Sequence, residues 1–358
     1  MSHPAGEYKS ALMADGNRET AEIQLDGRRV AVTGAGGFIG AATCARLSSE
    51  GAEVIGVDID PALEARVADS TREFRAADIA DHRAIGAALE GAELVVHTAA
   101  YVREWGTMEE FIPVNVRGTV NVLDAAEAAG AERVVHLSSV VVYGYAAPNE
   151  LDESASRRQV GIPYIDTKGA SDRIAVRRGA VVIRPGDVYG PGSVPWLIRP
   201  AELLRSGQMA LPGEGDGTML PVYIDDLVDS IILGLERGVP GHAYTVWDGE
   251  PVSFHDYFSR LAEMTGGKPP RKLPRAALSA LAGAVELVAR ARKRPPDFGR
   301  HGITLVDRRG TASNALAREE LGWEPQVGLE EGLRRSERWL RGGESTATSD
   351  PRPIRQMF

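Results

Sequence analysis

Tyr164 and Lys168 stand four residues apart, and Ser139 lies 25 residues before the tyrosine. On a helix, that spacing puts the phenol and the ammonium on one face, one turn apart. A neighbouring ammonium lowers a phenol from its usual pKa of about 10 toward the working pH. Tyr164 then becomes a proton donor and acceptor for a carbinol and carbonyl pair. A bare Tyr-x-x-x-Lys occurs by chance in many proteins, so the weight falls on what surrounds it.

The elements that would position this pair begin upstream. Arg29-Val-Ala-Val-Thr33 reads as a short buried strand, followed directly by Gly34-Ala-Gly-Gly-Phe-Ile-Gly40. Glycines 34, 37 and 40 allow a tight turn, close backbone approach to a pyrophosphate, and close packing of helix on strand. The helix they open, through about Ser49, aims its N-terminal amides at the phosphates. Glu53 to Asp58 reads as the second strand, ending on an acid 18 residues past Gly40. An acid there suits the ribose hydroxyls of NAD(H) and repels the 2′-phosphate of NADP. Asp60 competes with Asp58, but its place before Pro61 reads as a helix N-cap.

Taken together these residues resemble the extended short-chain dehydrogenase/reductase superfamily, with its sugar-nucleotide epimerases, dehydratases and 3β-hydroxysteroid dehydrogenases. The resemblance runs from about Arg29 to Leu340. It is carried by Thr33 to Gly40, Asp78-Ile79, His97-Thr-Ala-Ala100, Asn115 to Thr119, Ser138 to Gly144, Tyr164-x-x-x-Lys168, and Arg184-Pro-Gly-Asp-Val-Tyr-Gly190. The resemblance implies a cofactor cleft in which Phe38 and Ile39 follow the glycines and Asp78 and Ile79 hold the adenine end. Ala99 and Ala100 would line it, and Pro185 and Val188 would wall the nicotinamide. It also implies that Ser139 hydrogen-bonds the reacting oxygen, that Lys168 grips the nicotinamide ribose, and that Asn115 is the structural asparagine of the neighbouring helix. Tyr101, Ser139, Tyr189 and Trp196 are the expected substrate contacts. Asp172 stands where many relatives carry glutamate.

Composition narrows the partners. The 358-residue chain carries a formal charge of −9 and a pI near 5.4, which argues against nucleic acid. A single cysteine, Cys44, excludes an internal disulfide and suits a reducing, cytoplasmic setting. Its simplest role is a small buried apolar residue. The seven histidines show no ligand spacing, so no metal site is expected. Five of the 41 lysines and arginines are lysine, so Lys168 is not drift from a lysine-rich background.

The pattern predicts a doubly wound parallel α/β sheet of Rossmann type with a smaller mixed C-terminal lobe. Residues 1–27 read as a loose tail without a signal peptide, 28–184 as the NAD-binding domain carrying Ser139, Tyr164 and Lys168, 185–341 as mainly the substrate lobe, and 342–358 as a second tail. Strands are expected near 29–33, 53–58, 72–76, 93–97, 132–137, 180–184, 219–224 and 243–247. Pro113 predicts a kink in the helix that carries Asn115.

The substrate clue is the segment 273–294, too apolar for a simply solvated helix. The simpler reading is a lobe helix packed on its neighbours. The sharper one is a lipid-facing helix with a basic collar, which would give peripheral membrane contact and help wall the cleft over Tyr164. Three functions remain open: an oxidoreductase acting on a lipophilic secondary alcohol or ketone, a sugar-nucleotide epimerase or dehydratase using Arg199, Arg205, Arg271 or Arg300 on a diphosphate, and a non-catalytic NAD sensor. The small-molecule substrate is the expected partner, and a homodimer stays open.

Overall fold

Short apolar runs, buried on both faces except in the edge strand Glu73–Ala76, form a seven-stranded, wholly parallel sheet. Its strands are β1 (Arg29–Thr33), β2 (Glu53–Asp58), β3 (Glu73–Ala76), β4 (Leu94–His97), β5 (Arg133–Leu137), β6 (Val181–Pro185) and β7 (Ala243–Val246). The computed structural model describes residues 22–103, 105–145, 149–292 and 299–343. Across the sheet the order is β3-β2-β1-β4-β5-β6-β7. Strand order therefore reverses between β1 and β4, and the crevice beyond their C-terminal ends is where such sheets bind ligands. The glycine turn leaves β1 there, and Ala99 and Ala100 leave β4.

Two expectations change at the edges. Residues 22–27 are not a loose tail: Leu25 is buried in the main core, and the Ile23 amide donates to the Glu236 carbonyl. The rest of that tail, and 344–358, lie outside the described residues. The strand expected near 243–247 closes the main sheet against β6, and the Ile224–Arg237 helix packs on β5 and β6. The chain thus crosses the expected boundary at 184 and later returns to the first layer. The second lobe holds three two-stranded pairs: Asp187–Tyr189 with Pro221–Tyr223, Thr218–Met219 with Val252–Ser253, and Ala210–Pro212 with Arg271–Leu273.

Cys44 is buried, and desolvation pushes its thiol up to about 12, as suits a packing residue. Among the described residues no helix is long and apolar enough to cross a membrane, and no cluster of His, Cys, Asp or Glu has metal-holding geometry.

The sheet interior carries a pH liability. Thr33, His97 and His136 are buried register neighbours on β1, β4 and β5. His97 Nδ1 lies 2.8 Å from Thr33 Oγ1, and its Nε2 lies 3.2 Å from Thr119 Oγ1. Burial, with Lys168 adding to it, pushes His97 down to about 3. Burial, then His97 and Lys168, also holds His136 well below the usual range. Below about pH 6.5 the unfolded chain binds protons at both rings while the folded chain does not, so stability falls as pH falls. Each ring contributes up to about 1.4 kcal/mol per pH unit. Urea midpoints should drop steeply from about pH 6.5 to about pH 4, and His136→Phe should flatten the slope. Equal midpoints across that window would contradict the assignment.

Candidate active site

The Pro163–Arg177 helix starts on Pro163, whose missing amide costs nothing in a first turn. It carries Tyr164, partly exposed, and Lys168, buried, on one face. Lys168 Nζ donates to the Leu137 carbonyl at 2.6 Å, at the end of β5. Ser139 follows as the cap of a short 3-10 turn, its Oγ accepting from the Val141 amide at 3.3 Å. Val141 in turn shares an apolar cluster with Tyr145, Ile162, Tyr164, Ile165 and Leu305. The helix and the strand end thereby bring Ser139, Tyr164 and Lys168 to one corner of the crevice.

One expectation about their electrostatics is corrected here. Burial pushes the Tyr164 phenol up to about 12, and no lowering by Lys168 offsets it. The ammonium is turned instead to the Leu137 carbonyl, and burial pushes it down to about 8 against the pull of Asp172. In this arrangement Tyr164 is a protonated donor over the whole neutral range.

Asp172, one turn past Lys168, holds the corner together. Its Oδ2 accepts from Ser138 Oγ at 2.7 Å and Arg184 Nε at 2.8 Å. Its Oδ1 accepts from Arg184 Nη2 at 2.9 Å and Arg157 Nε at 2.6 Å. Burial alone would raise this carboxyl, but Arg184, Arg157 and Ser138 hold it well below the usual carboxylate range. Arg184 also donates to Tyr143 Oη at 2.8 Å. The residue next to Ser139, the Pro163–Arg177 helix and the strand leading to Pro185 therefore share one buried carboxylate. In sequence Asp172 showed only as a substitution for glutamate. Its spacing of four from Lys168 was the available signal.

The glycine loop fits a dinucleotide. Gly34 has φ +72°, and a Cβ there would lie 2.8 Å from the Ala99 amide nitrogen. At Gly40 an added Cβ would sit 2.0 Å from the Gly34 carbonyl oxygen, so only glycine lets the helix come this close to the turn. Gly37 caps the Phe38–Ser49 helix with no side chain over its end, and the first-turn amides, those of Phe38, Ile39 and Gly40, have no intrahelical acceptor. The Phe38 and Ile39 side chains turn away to pack on the main core.

Asp58 ends β2 as expected, and Asp60 caps a 3-10 turn by accepting from the Ala62 amide. Asp58 Oδ2 accepts from the Gly36 amide at 3.0 Å and Oδ1 from the Ile59 amide at 2.8 Å. The carboxylate thus shapes the glycine loop, at the strand end where a ribose is expected. Titration by fluorescence should show NAD(H) bound at least tenfold more tightly than NADP(H), with Asp58→Ala narrowing the gap while weakening both. Equal affinities would contradict the role of Asp58.

At the adenine end, Asp78 Oδ1 accepts from the Ala80 amide at 2.8 Å and Ile79 is buried. Asn121, which sequence reasoning missed, secures this turn by donating to the Ile79 and Ala80 carbonyls. Asn115 lies in a π-helical stretch, Ile112–Gly118, where Pro113 foretold an irregularity. Its amide is fully used: it accepts from the Tyr101 amide at 2.7 Å and donates to the Tyr101 carbonyl and Thr167 Oγ1. Asn115 therefore positions the loop after β4 against the Pro163–Arg177 helix, as a structural asparagine would. Pro185 is buried at the end of β6 and Val188 is half-buried in the next short strand.

Among the expected substrate contacts, Tyr101 stands edge-on to Phe111 at 4.8 Å, and Phe111 lies 6.5 Å from Tyr164. Tyr189 is corrected: it is fully buried, packed edge-on against Tyr223 and Tyr257, and is a core residue. Trp196 is half-buried and stacks on Phe254 at 5.8 Å.

The long apolar helix is corrected too. The Arg275–Ala291 helix buries Leu278 and Ala282 against Ile303 of the Arg300–Val306 helix. Leu281 and Leu287 are 54% and 69% exposed, so neither packs into the core of the lobe. From the lobe, Leu305 packs on the same Val141, Tyr145 and Ile165 cluster as Tyr164, and His301 lies beside Tyr145 at 5.6 Å between rings. The short Arg300–Val306 helix offered no periodic signal to read.

The four candidate arginines lie on three separate elements. Arg271 lies on an exposed strand, Arg300 pairs with Glu286, and Arg199 and Arg205 sit on a helix packed against Phe254–Thr265.

Residues 30–246 match the model of the NAD dependent epimerase/dehydratase family. The chain belongs to this family. It is 31% identical over 325 residues to the 2-alkyl-3-oxoalkanoate reductase of Stenotrophomonas maltophilia, covering 86% of this chain and 98% of that one. It is 30% identical to the UDP-glucose 4-epimerase of Mycolicibacterium smegmatis, covering 87% and 98%. Among solved structures, the dTDP-glucose 4,6-dehydratase DesIV of Streptomyces venezuelae, with NAD bound, aligns with a TM-score of 0.72 at 27% identity, over 89% of this chain and 98% of that one. The cofactor of this family is NAD, and the glycine cradle and Asp58 of this chain fit it.

Proposed function

We propose that the protein is an NAD(H)-dependent oxidoreductase that interconverts a secondary alcohol and a ketone on a lipophilic substrate, with Ser139, Tyr164 and Lys168 as its catalytic residues. The observation that carries this reading is the apolar packing beside Tyr164: Val141, Tyr145 and Ile165 form a buried cluster on which Ile162, Tyr164 and Leu305 pack, and the Phe111 ring lies 6.5 Å from that of Tyr164. An apolar wall suits a steroid, terpenoid or acyl chain and would leave a sugar diphosphate's charges unpaired. The named reductase relative, whose substrate is an alkyl oxo acid, agrees.

Bound in the glycine cradle, NAD would accept or return the hydride. Ser139 Oγ would hydrogen-bond the reacting oxygen and hold its lone pair toward the phenol. Tyr164 would give its proton to the oxygen during ketone reduction and take one during alcohol oxidation. Lys168, released from Leu137, would stabilise the phenolate formed by reduction. A phenol this firmly protonated favours reduction near neutral pH and oxidation at alkaline pH.

The epimerase relative supports the competing reading, in which the hydride returns to the same sugar nucleotide. Incubation with NAD and either a steroid or alkyl secondary alcohol or UDP-glucose separates them. Free NADH appearing with the alcohol supports the proposal. Conversion of UDP-glucose without free NADH would replace it.

The same reading gives the exposed helix a task. Ala277, Leu281, Ala284, Leu287 and Val288 form an exposed stripe, with Arg275 and Arg292 exposed toward its two ends. Glu286, on the same helix, is turned to Arg300. An apolar stripe with basic residues at its ends suits an anionic lipid surface even in an acidic protein, although Arg275 also pairs with Asp307. Phosphatidylglycerol vesicles should co-sediment the protein more than phosphatidylcholine vesicles, and Leu287→Glu should release it. No vesicle binding, or binding unchanged in Leu287→Glu, would end the assignment.

A further inference from the structure

The wall on the Tyr101 side of the site differs in kind from the apolar wall on the Leu305 side. The Arg103 guanidinium lies 4.9 Å over the Tyr101 ring. From there aromatic contacts run to the catalytic corner, through Phe111 at 4.8 Å and on to Tyr164 at 6.5 Å. Arg103 sits on the loop that leaves β4, at the mouth of the crevice, and is half-buried.

Other arginines around the corner are committed. Arg157 and Arg184 hold Asp172, and Arg308 holds Asp187. Arg103 has neither a carboxylate partner nor a hydrogen-bond acceptor among the described residues, only the Tyr101 ring. On the segment that follows, Glu110 is spent: its Oε2 accepts from the Thr107 amide at 2.7 Å and completes a capping box. The loop's base is fixed as well, because Asn115 clamps both the amide and the carbonyl of Tyr101. An arginine stacked on an aromatic ring keeps its in-plane donors free for a planar, bidentate acceptor.

Resting on the oxidoreductase reading above, we infer that Arg103 receives a carboxylate of the substrate, so that the substrate is a lipophilic hydroxy or oxo acid. The carboxylate sits at the Arg103 mouth, the carbinol or carbonyl at Tyr164, and the hydrocarbon against Val141, Tyr145 and Leu305. Charge-assisted, bidentate pairing of this kind favours the acid over its neutral ester by about tenfold or more.

The test compares medium-chain hydroxy acids, with the secondary hydroxyl at successive chain positions, against their methyl esters, using the full chain with NAD. At one or more positions the acid should show the higher kcat/KM, through a lower KM. Arg103→Met should reduce the acid-to-ester ratio at least tenfold, and Arg103→Lys should recover part of it. Unchanged NAD affinity would show that the variant is folded. Turnover of esters and acids alike, or an equal effect of Arg103→Met on both, overturns the inference and leaves the oxidoreductase reading standing. Turnover of neither, by a protein that binds NAD, sinks both.

Discussion

Tyr164→Phe lowers turnover on the order of a thousandfold or more while leaving NAD affinity near that of the native protein. The substitution keeps the ring that packs with Phe111 and Ile165 and removes only the transferable proton. Ser139→Ala costs less, about a hundredfold, because one oriented hydrogen bond is lost and the proton path remains. Steady-state rates of both variants on one substrate test the ordering. A Tyr164→Phe protein with near-normal rate would mean that the proton comes from another group.

Asp172→Ala should be the most damaging change outside the residues that touch substrate. It leaves Arg184, which is fully buried, without its ion-pair partner, and frees Ser138 and Arg157 together. Breaking such a buried pair from one side costs about 3–5 kcal/mol. Asp172→Asn keeps shape and most hydrogen bonds, so it should fold better. It also withdraws the charge that raises the Lys168 ammonium, so the alkaline limb of the pH-rate profile should move to lower pH. Asp172→Glu, which restores the charge, should return that limb toward its native position. Urea unfolding and pH-rate profiles measure both effects. An Asp172→Ala protein within about 1 kcal/mol of native stability would remove the carboxylate from its central place.

The sequence made the sheet legible because buried parallel strands read as continuous apolar runs, and all seven strands fall within a residue of their expected limits. The seventh, Ala243–Val246, was assigned to the lobe because nothing local tells a strand which sheet it joins. At the site, the glycine turn was legible because Gly34 and Gly40 serve a backbone geometry that a motif records, and the spacing of four put Tyr164 and Lys168 on one helix. Tyr189 was misplaced because an aromatic next to a cofactor motif reads the same whether it faces the cleft or the core. The 273–294 segment showed a correct helix, but amphipathicity does not say what its apolar faces meet. Leu305, His301 and Arg103 went unread because each depends on tertiary approach from a short helix or loop.

The central claim, net hydride transfer at Tyr164 with release of the reduced cofactor, is tested most directly by isotope. A secondary alcohol deuterated at the carbinol carbon is incubated with the protein and excess NAD, and free cofactor is recovered for mass analysis. The account predicts deuterium in free NADH in a one-to-one ratio with ketone, and loss of both in Tyr164→Phe. Deuterium retained in a rearranged product, with the cofactor unlabelled, would contradict it.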